Sequence, residues 1–158
     1  LQVFIDDSPG LKIYELKSRA RKLVKKHGVQ AIFVDYLTKL QPSKKRENRD
    51  QEVGHIAEEL KNLAKELRVP VVCLAQLNRK CDDRKNPRPV LSDLRESGNI
   101  EQEADNVLFL YRDAVYKNTS DNTAEIKVAK QRNGPEGTAR MVWIGQYQSF
   151  EEMANEVV

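Results

Sequence analysis

The sequence is poor in the residues that staple secreted domains or cage metals. It holds two cysteines, Cys73 and Cys81, and two histidines, His27 and His55. Two scattered cysteines make no disulfide framework, and no spacing here resembles a zinc site. Cys73 sits in an apolar run and reads as a small buried hydrophobe, Cys81 as a loop residue. The histidines lie on or beside helices and read as structural or surface residues. No apolar run is long enough to span a bilayer and no secretory leader is visible, so a cytoplasmic, reducing location is expected. Internal repeats and low-complexity segments are also lacking. A Gly-x-x-x-x-Gly-Lys-Ser/Thr loop, the backbone cradle for nucleotide phosphates, occurs nowhere in the 158 residues.

What is present is a patterned globular chain. Hydrophobic residues make up 39%, enough for a packed core and too periodic for a disordered tail. The net charge of +3 permits a nucleic-acid partner without demanding one, so the placement of charge decides.

Leu1 to Ile5 reads as a short strand ending in Asp6 and Asp7. Ile13, Leu16, Ala20, Leu23 and Val24 recur at helical spacing up to Gly28. Ala31 to Asp35 reads as a buried strand. Val53, Ile56, Ala57, Leu60, Leu63, Ala64 and Leu67 make the cleanest helical stripe. Pro70 to Ala75 and Val107 to Tyr111 read as two further buried strands. The intervening 76–105 is mostly loop, and 112–122 is a polar loop. Glu125 to Ala129 and Thr138 to Ile144 read as a hairpin closed through Asn133-Gly134-Pro135.

Alternating strands and helices predict an α/β fold with a mainly parallel sheet, covered on both faces, and an antiparallel hairpin at one side. Ligands of such sheets sit at the carboxyl ends of the strands, where Asp6, Asp7, Asp35 and Gln76 fall.

Ile32-Phe33-Val34-Asp35 fits a strand that ends in a magnesium-orienting carboxylate, since Mg2+ keeps most of its waters and needs few protein ligands. An Asp in that position also caps helices in many α/β folds. Gln76 ends the next strand, where an amide either senses a phosphate or caps a loop. Lys130 and Arg132 stand at alternate positions of a strand end, either as phosphate-directed cations or as a solvated pair beside a turn. In the long loop, Arg95 can meet phosphate and Gly98 permits close backbone approach. Basic clusters at Lys44, Lys45, Arg46 and Arg49, and at Arg79, Lys80, Arg84, Lys85 and Arg88, are placed on the same edge of the sheet. They favour a nucleic-acid backbone partner over a merely solvated face. Trp143 reads as core.

Four segments, in this order and at these separations, carry a resemblance. They are Ile32 to Leu40 (IFVDYLTKL), Val69 to Arg79 (VPVVCLAQLNR), Arg88 to Asp105 (RPVLSDLRESGNIEQEAD) and Ala129 to Gly137 (AKQRNGPEG). Together they resemble the DnaB-family replicative helicases over nearly the whole chain. Ala75 stands where a serine is common, Thr38-Lys39 replaces a more usual pair, and Cys81 is unusual in its loop. None of these touches a matched functional position.

The resemblance implies a RecA-like, ATP- and Mg2+-using hexameric motor that translocates on single-stranded DNA, with primase and a helicase loader as partners. It casts Asp35 as the magnesium-orienting carboxylate and Gln76 as the link from γ-phosphate to the DNA loop. Lys130 and Arg132 become the pair reaching a neighbouring subunit's ATP site, and Arg95, Glu96 and Gly98 the grip on the DNA backbone. Residues 1–158 then correspond to the C-terminal portion of the motor domain. An opening on Leu1 rather than Met suggests the interior of something longer. Family order puts the phosphate loop and the catalytic glutamate upstream, and places the phosphate-loop strand between those matching 70–75 and 107–111. The expectation is therefore a gap in the sheet, a partner fragment that fills it, or a rearranged sheet, and no ATP turnover by this chain alone. The alternative is a truncated paralogue that docks on DNA or a helicase ring without catalysis.

Overall fold

The computed structural model describes residues 2–44, 46–78, 81–97, 100–117 and 120–153. They sort into two compact units, one of residues 1–76 and 94–104, the other of 77–93 and 105–158.

In the first unit, α1 (Ile13–His27) opens with the Glu15 carboxylate accepting the Lys12 N–H at 3.1 Å. It ends on Gly28 at φ 64°, the left-handed conformation that glycine adopts without a Cβ penalty. After β1 (Ile32–Val34) and a 3-10 turn at Leu37–Lys39 comes α2 (Arg49–Leu67). The side chain of Asn48 caps α2 by accepting the Gln51 N–H at 2.9 Å. The stripe expected of α2 faces inward, with Val53, Ile56, Leu60 and Leu63 buried. β2 (Val71–Cys73) pairs parallel with β1 in the register Ile32↔Val71, Val34↔Cys73. Ile13, Val34, Leu37, Val53, Ile56 and Leu60 belong to the core cluster beneath one face of this pair. On the solvent side, α1 and α2 carry matched charges: Lys17 pairs with Glu59, and Arg21 meets Glu66 through two bonds of 2.6 and 2.8 Å. The first unit resumes at Leu94, within a 3-10 helix spanning Leu91–Ser97, and ends with α3 (Ile100–Glu103), whose Ile100 packs on the core.

The second unit is built around an antiparallel meander of β3 (Asn106–Arg112), β4 (Thr123–Gln131), β5 (Gly137–Ile144) and β6 (Ser149–Glu152). A bulge at Val107/Leu108 shifts the β3–β4 register. α4 (Asp113–Lys117) follows β3 directly.

Several expectations change. Gln2 to Ile5 form no strand: no strand lies beside them among the described residues, and Val3 and Ile5 are 70% and 88% exposed. The stretches taken as loop at 76–105 and 112–122 contain the short helices at 91–97, 100–103 and 113–117. Among the described residues the parallel sheet is β1–β2, as the fold reading has it, and β3 pairs antiparallel with β4 because a connection this short returns the chain alongside its predecessor. Burial is one-sided. Phe33, Val72 and Leu74 are exposed in the first unit, and Leu108 and Leu110 alternate outward from buried Val107, Phe109 and Tyr111 in the second. These strands are apolar on both sides, the pattern of a sheet covered twice, yet among the described residues one face stays bare. Among the described residues the strands form one sheet of β1–β2 and one of β3–β4–β5–β6. Cys81, taken as a loop residue, is buried at 4% exposure, while Cys73 and Trp143 are only partly buried.

Candidate functional site

Parallel pairing sets the geometry at the ends of β1 and β2. Leu74 N–H donates to Val34 O at 2.9 Å, and Leu37 N–H donates to Leu74 O at 2.9 Å, so the two exits run side by side. Asp35, Tyr36, Leu74, Ala75 and Gln76 line one open cavity of about 330 Å3. Asp35 and Gln76 are both exposed there, and neither side chain bonds another described residue. This is where the sequence placed a carboxylate and an amide, and the fold brings them together. Among the described residues no group of three metal-ligating side chains occurs. Asp6 lies elsewhere. Its carboxylate is hydrogen-bonded to Arg19 at 2.5 Å and to Ser8, and the Arg19 guanidinium holds its pKa down at about 2.

Lys130 lies in β4 opposite Val107, and Arg132 is the residue just past the strand. The Arg132 N–H donates to Asp105 O at 2.9 Å, and its guanidinium meets the Asp105 carboxylate at 3.2 Å. Arg132 is therefore held at the base of the turn by Asp105, a partner that the sequence reading did not single out. Arg95 and Glu96 lie on the 3-10 helix Leu91–Ser97. Gly98, Lys45, Arg79 and Lys80 lie outside the described residues.

The basic clusters do not present a uniform row of cations. Arg49 bonds Thr38 O at 2.5 Å and Glu52 at 3.1 Å. Arg84 donates to the Asp93 carboxylate at 2.7 Å, and Arg88 grips Glu125 through bonds of 2.7 and 2.9 Å while lying over the Tyr111 ring at 4.6 Å. The Arg88 guanidinium lowers the Glu125 pKa. Burial, helped by the Asp113 carboxylate that accepts the Tyr111 hydroxyl, pushes Tyr111 up to about 12. Nothing in the sequence announces a partnership between residues 37 positions apart. Lys44 and Lys85 remain exposed. No described helix is long and apolar enough to cross a membrane.

The chain matches the model of the DnaB-like helicase C-terminal domain family over residues 1–152, and it belongs to that family. It is 46% identical to the replicative DNA helicase DnaC of Bacillus subtilis (strain 168) over 151 residues, which are 94% of this chain and 33% of that protein. It is 48% identical to the replicative DNA helicase DnaB of Pasteurella multocida (strain Pm70) over 157 residues, 98% of this chain and 34% of the other. The chain thus spans about a third of the length of these relatives. Among solved structures, it superimposes with a TM-score of 0.90 at 39% identity on a DnaB-like replicative helicase described with its interactions with primase, covering 95% of this chain and 37% of that one. A second, solved as an ATPase domain, gives a TM-score of 0.87 at 39% identity over 92% of this chain and 52% of the other. The fold is accordingly the RecA-like α/β core anticipated from the sequence, with its antiparallel part at the C-terminal side.

Proposed function

We propose that the chain serves as the C-terminal part of the motor of an ATP-dependent replicative DNA helicase, a hexamer that moves along single-stranded DNA in the cytoplasm and works with primase and a helicase loader. The observation that carries this reading is the cavity where Asp35 and Gln76 leave β1 and β2 together with uncommitted polar ends, in a chain of this family. Asp35 would orient Mg2+ through its waters, and the ion would offset charge on the phosphates of ATP. Gln76, two atoms of amide at the same rim, suits a sensor of the terminal phosphate. Lys130 and Arg132 act on a neighbouring subunit's nucleotide, which requires Arg132 to exchange its pairing with Asp105 for a phosphate. Arg95, Glu96 and Gly98 hold the DNA backbone. The phosphate cradle comes from outside these residues, because no segment of this chain has its pattern.

The test uses the complete polypeptide that carries this chain. Asp35→Asn should lower single-strand-stimulated ATPase by about 100-fold or more, the several kcal/mol expected when a metal's orienting ligand is lost. Unwinding of a forked duplex should fall with it. Near-normal turnover in Asp35→Asn would remove the metal role.

A further inference from the structure

Strict alternation from Lys130 puts Lys127, three residues back, on the opposite face of β4. The pairing of β4 with β3 reverses this. Val107 stands opposite Lys130 and Leu108 opposite Val128, so Ala129 is an extra residue bulged out of the ladder. One extra residue exchanges the two faces of the strand beyond it. Lys127 stands opposite Phe109, and Glu125 opposite Tyr111. Residues opposite each other share a face, and Val107, Phe109 and Tyr111 alternate on the buried side of β3. Glu125, Lys127 and Lys130 therefore line one face of β4, with Arg132 just past its end. Charge on this face is unevenly matched. The Glu125 carboxylate is spent on Arg88 through bonds of 2.7 and 2.9 Å. Lys127 is partly exposed, and its ammonium makes no ion pair or hydrogen bond with another described residue. Its neighbour across the ladder in β5 is the exposed Thr138.

We infer that Lys127 is a further phosphate-binding residue, a third cation beside Lys130 and Arg132 that meets the triphosphate of a nucleotide held by a neighbouring copy. This rests on the reading of Lys130 and Arg132 as acting on that nucleotide. A merely solvated lysine needs no alignment with its neighbours, whereas a bulge that turns two lysines onto one face aims them at a common target. Their partners on β3 are two residues apart, about 7 Å along the strand. Two flexible four-carbon side chains at that spacing converge on linked phosphates, and cations gathered on one face attract a polyanion more strongly than any one alone.

The experiment is steady-state ATP hydrolysis by the complete polypeptide at saturating oligothymidylate, with circular dichroism to confirm folding. Lys127→Met should lower kcat/KM for ATP about tenfold, most of it as a raised KM, the signature of a lost phosphate contact. Lys127→Arg should keep most of the activity. Relocating the charge tests the face. Added to Lys127→Met, Thr138→Lys returns a cation to the same face from β5 and should restore much of kcat/KM, whereas Ala139→Lys, exposed on the other face, should not. Equal rescue by both would mean that only overall charge matters, and overturns the inference. So does unchanged kcat/KM in Lys127→Met while Lys130→Met and Arg132→Met are impaired. A third contrary result is weaker oligothymidylate binding by Lys127→Met, with a salt slope lower by about one and unchanged ATP kinetics, which would assign the lysine to DNA instead. If Lys130→Met and Arg132→Met themselves leave kcat/KM unchanged, the reading of that pair fails, and the inference with it. Should Lys127→Met not fold, Lys127→Gln carries the same comparisons.

Discussion

The two units are stabilised by different physics. The first rests on an apolar cluster beneath β1 and β2, with Ile13 and Ile56 at 0% exposure. Its candidate functional groups, Asp35 and Gln76, have no side-chain partners among the described residues. In the second unit, charged groups brace the loop and the meander: Arg84 pairs with Asp93 within the loop, Arg88 ties the loop to Glu125 of β4, and Arg132 just past β4 meets Asp105 just before β3. Polar groups with no structural task are free for an external ligand, whereas paired cations must surrender a partner first. The comparison separates residues that can be changed without unfolding from those that cannot.

The sharpest separation is in stability. Leu60→Ala, in the core of the first unit, should cost about 2–5 kcal/mol, because the cavity it leaves relaxes only in part. Urea unfolding followed by tryptophan fluorescence and circular dichroism reads it. Arg88→Met should cost less, about 1–3 kcal/mol, since it leaves the Glu125 carboxylate without its bidentate partner at a site that is partly open to water. Equal losses in the two variants would break the contrast between apolar and ionic support. Asp35→Ala should change stability by no more than about 0.5 kcal/mol, as surface changes away from structural contacts do. A large loss there would mean that Asp35 is structural.

Acid should distinguish the units next. Glu125 has its pKa lowered from 4.5 by Arg88, so the stability it contributes is fully present above that value and is lost as pH falls through the lower folded value. Glu125→Gln should therefore flatten the pH dependence of unfolding below about pH 4.5, while leaving the slope above it unchanged. The smallest effect concerns thiols. Burial pushes Cys73 up to about 12, so at mildly alkaline pH it should react with a disulfide reagent more slowly than a free cysteine. Rapid labelling of native protein would show that the first unit opens.

Much of this was legible because it is local. Helical spacing placed α1 and α2, Gly28 marked a helix end, and four apolar residues before Asp35 placed a carboxylate at a strand exit. What was not legible depends on pairing across distance. Asp105 with Arg132, Arg84 with Asp93 and Arg88 with Glu125 meet only once the meander and its preceding loop are folded. The partner of β3 was not legible for the same reason: Val107 to Tyr111 is apolar on both sides, and its antiparallel pairing with β4 shows only once the chain returns alongside it. Leu1 to Ile5 has the composition of a strand, and Gln2 to Ile5 pair with no strand among the described residues. Composition indicates that a strand can form, and only an adjacent edge makes it one.

The most direct measurement is binding of a fluorescent ATP analogue with Mg2+ to the 158-residue chain alone and to the complete polypeptide, with circular dichroism confirming that both are folded. The expected result is saturable binding by the complete polypeptide, lost in Asp35→Ala, and none by the chain alone. Saturable binding by the chain alone, abolished by Asp35→Ala, would contradict the account and make these residues a self-sufficient nucleotide site.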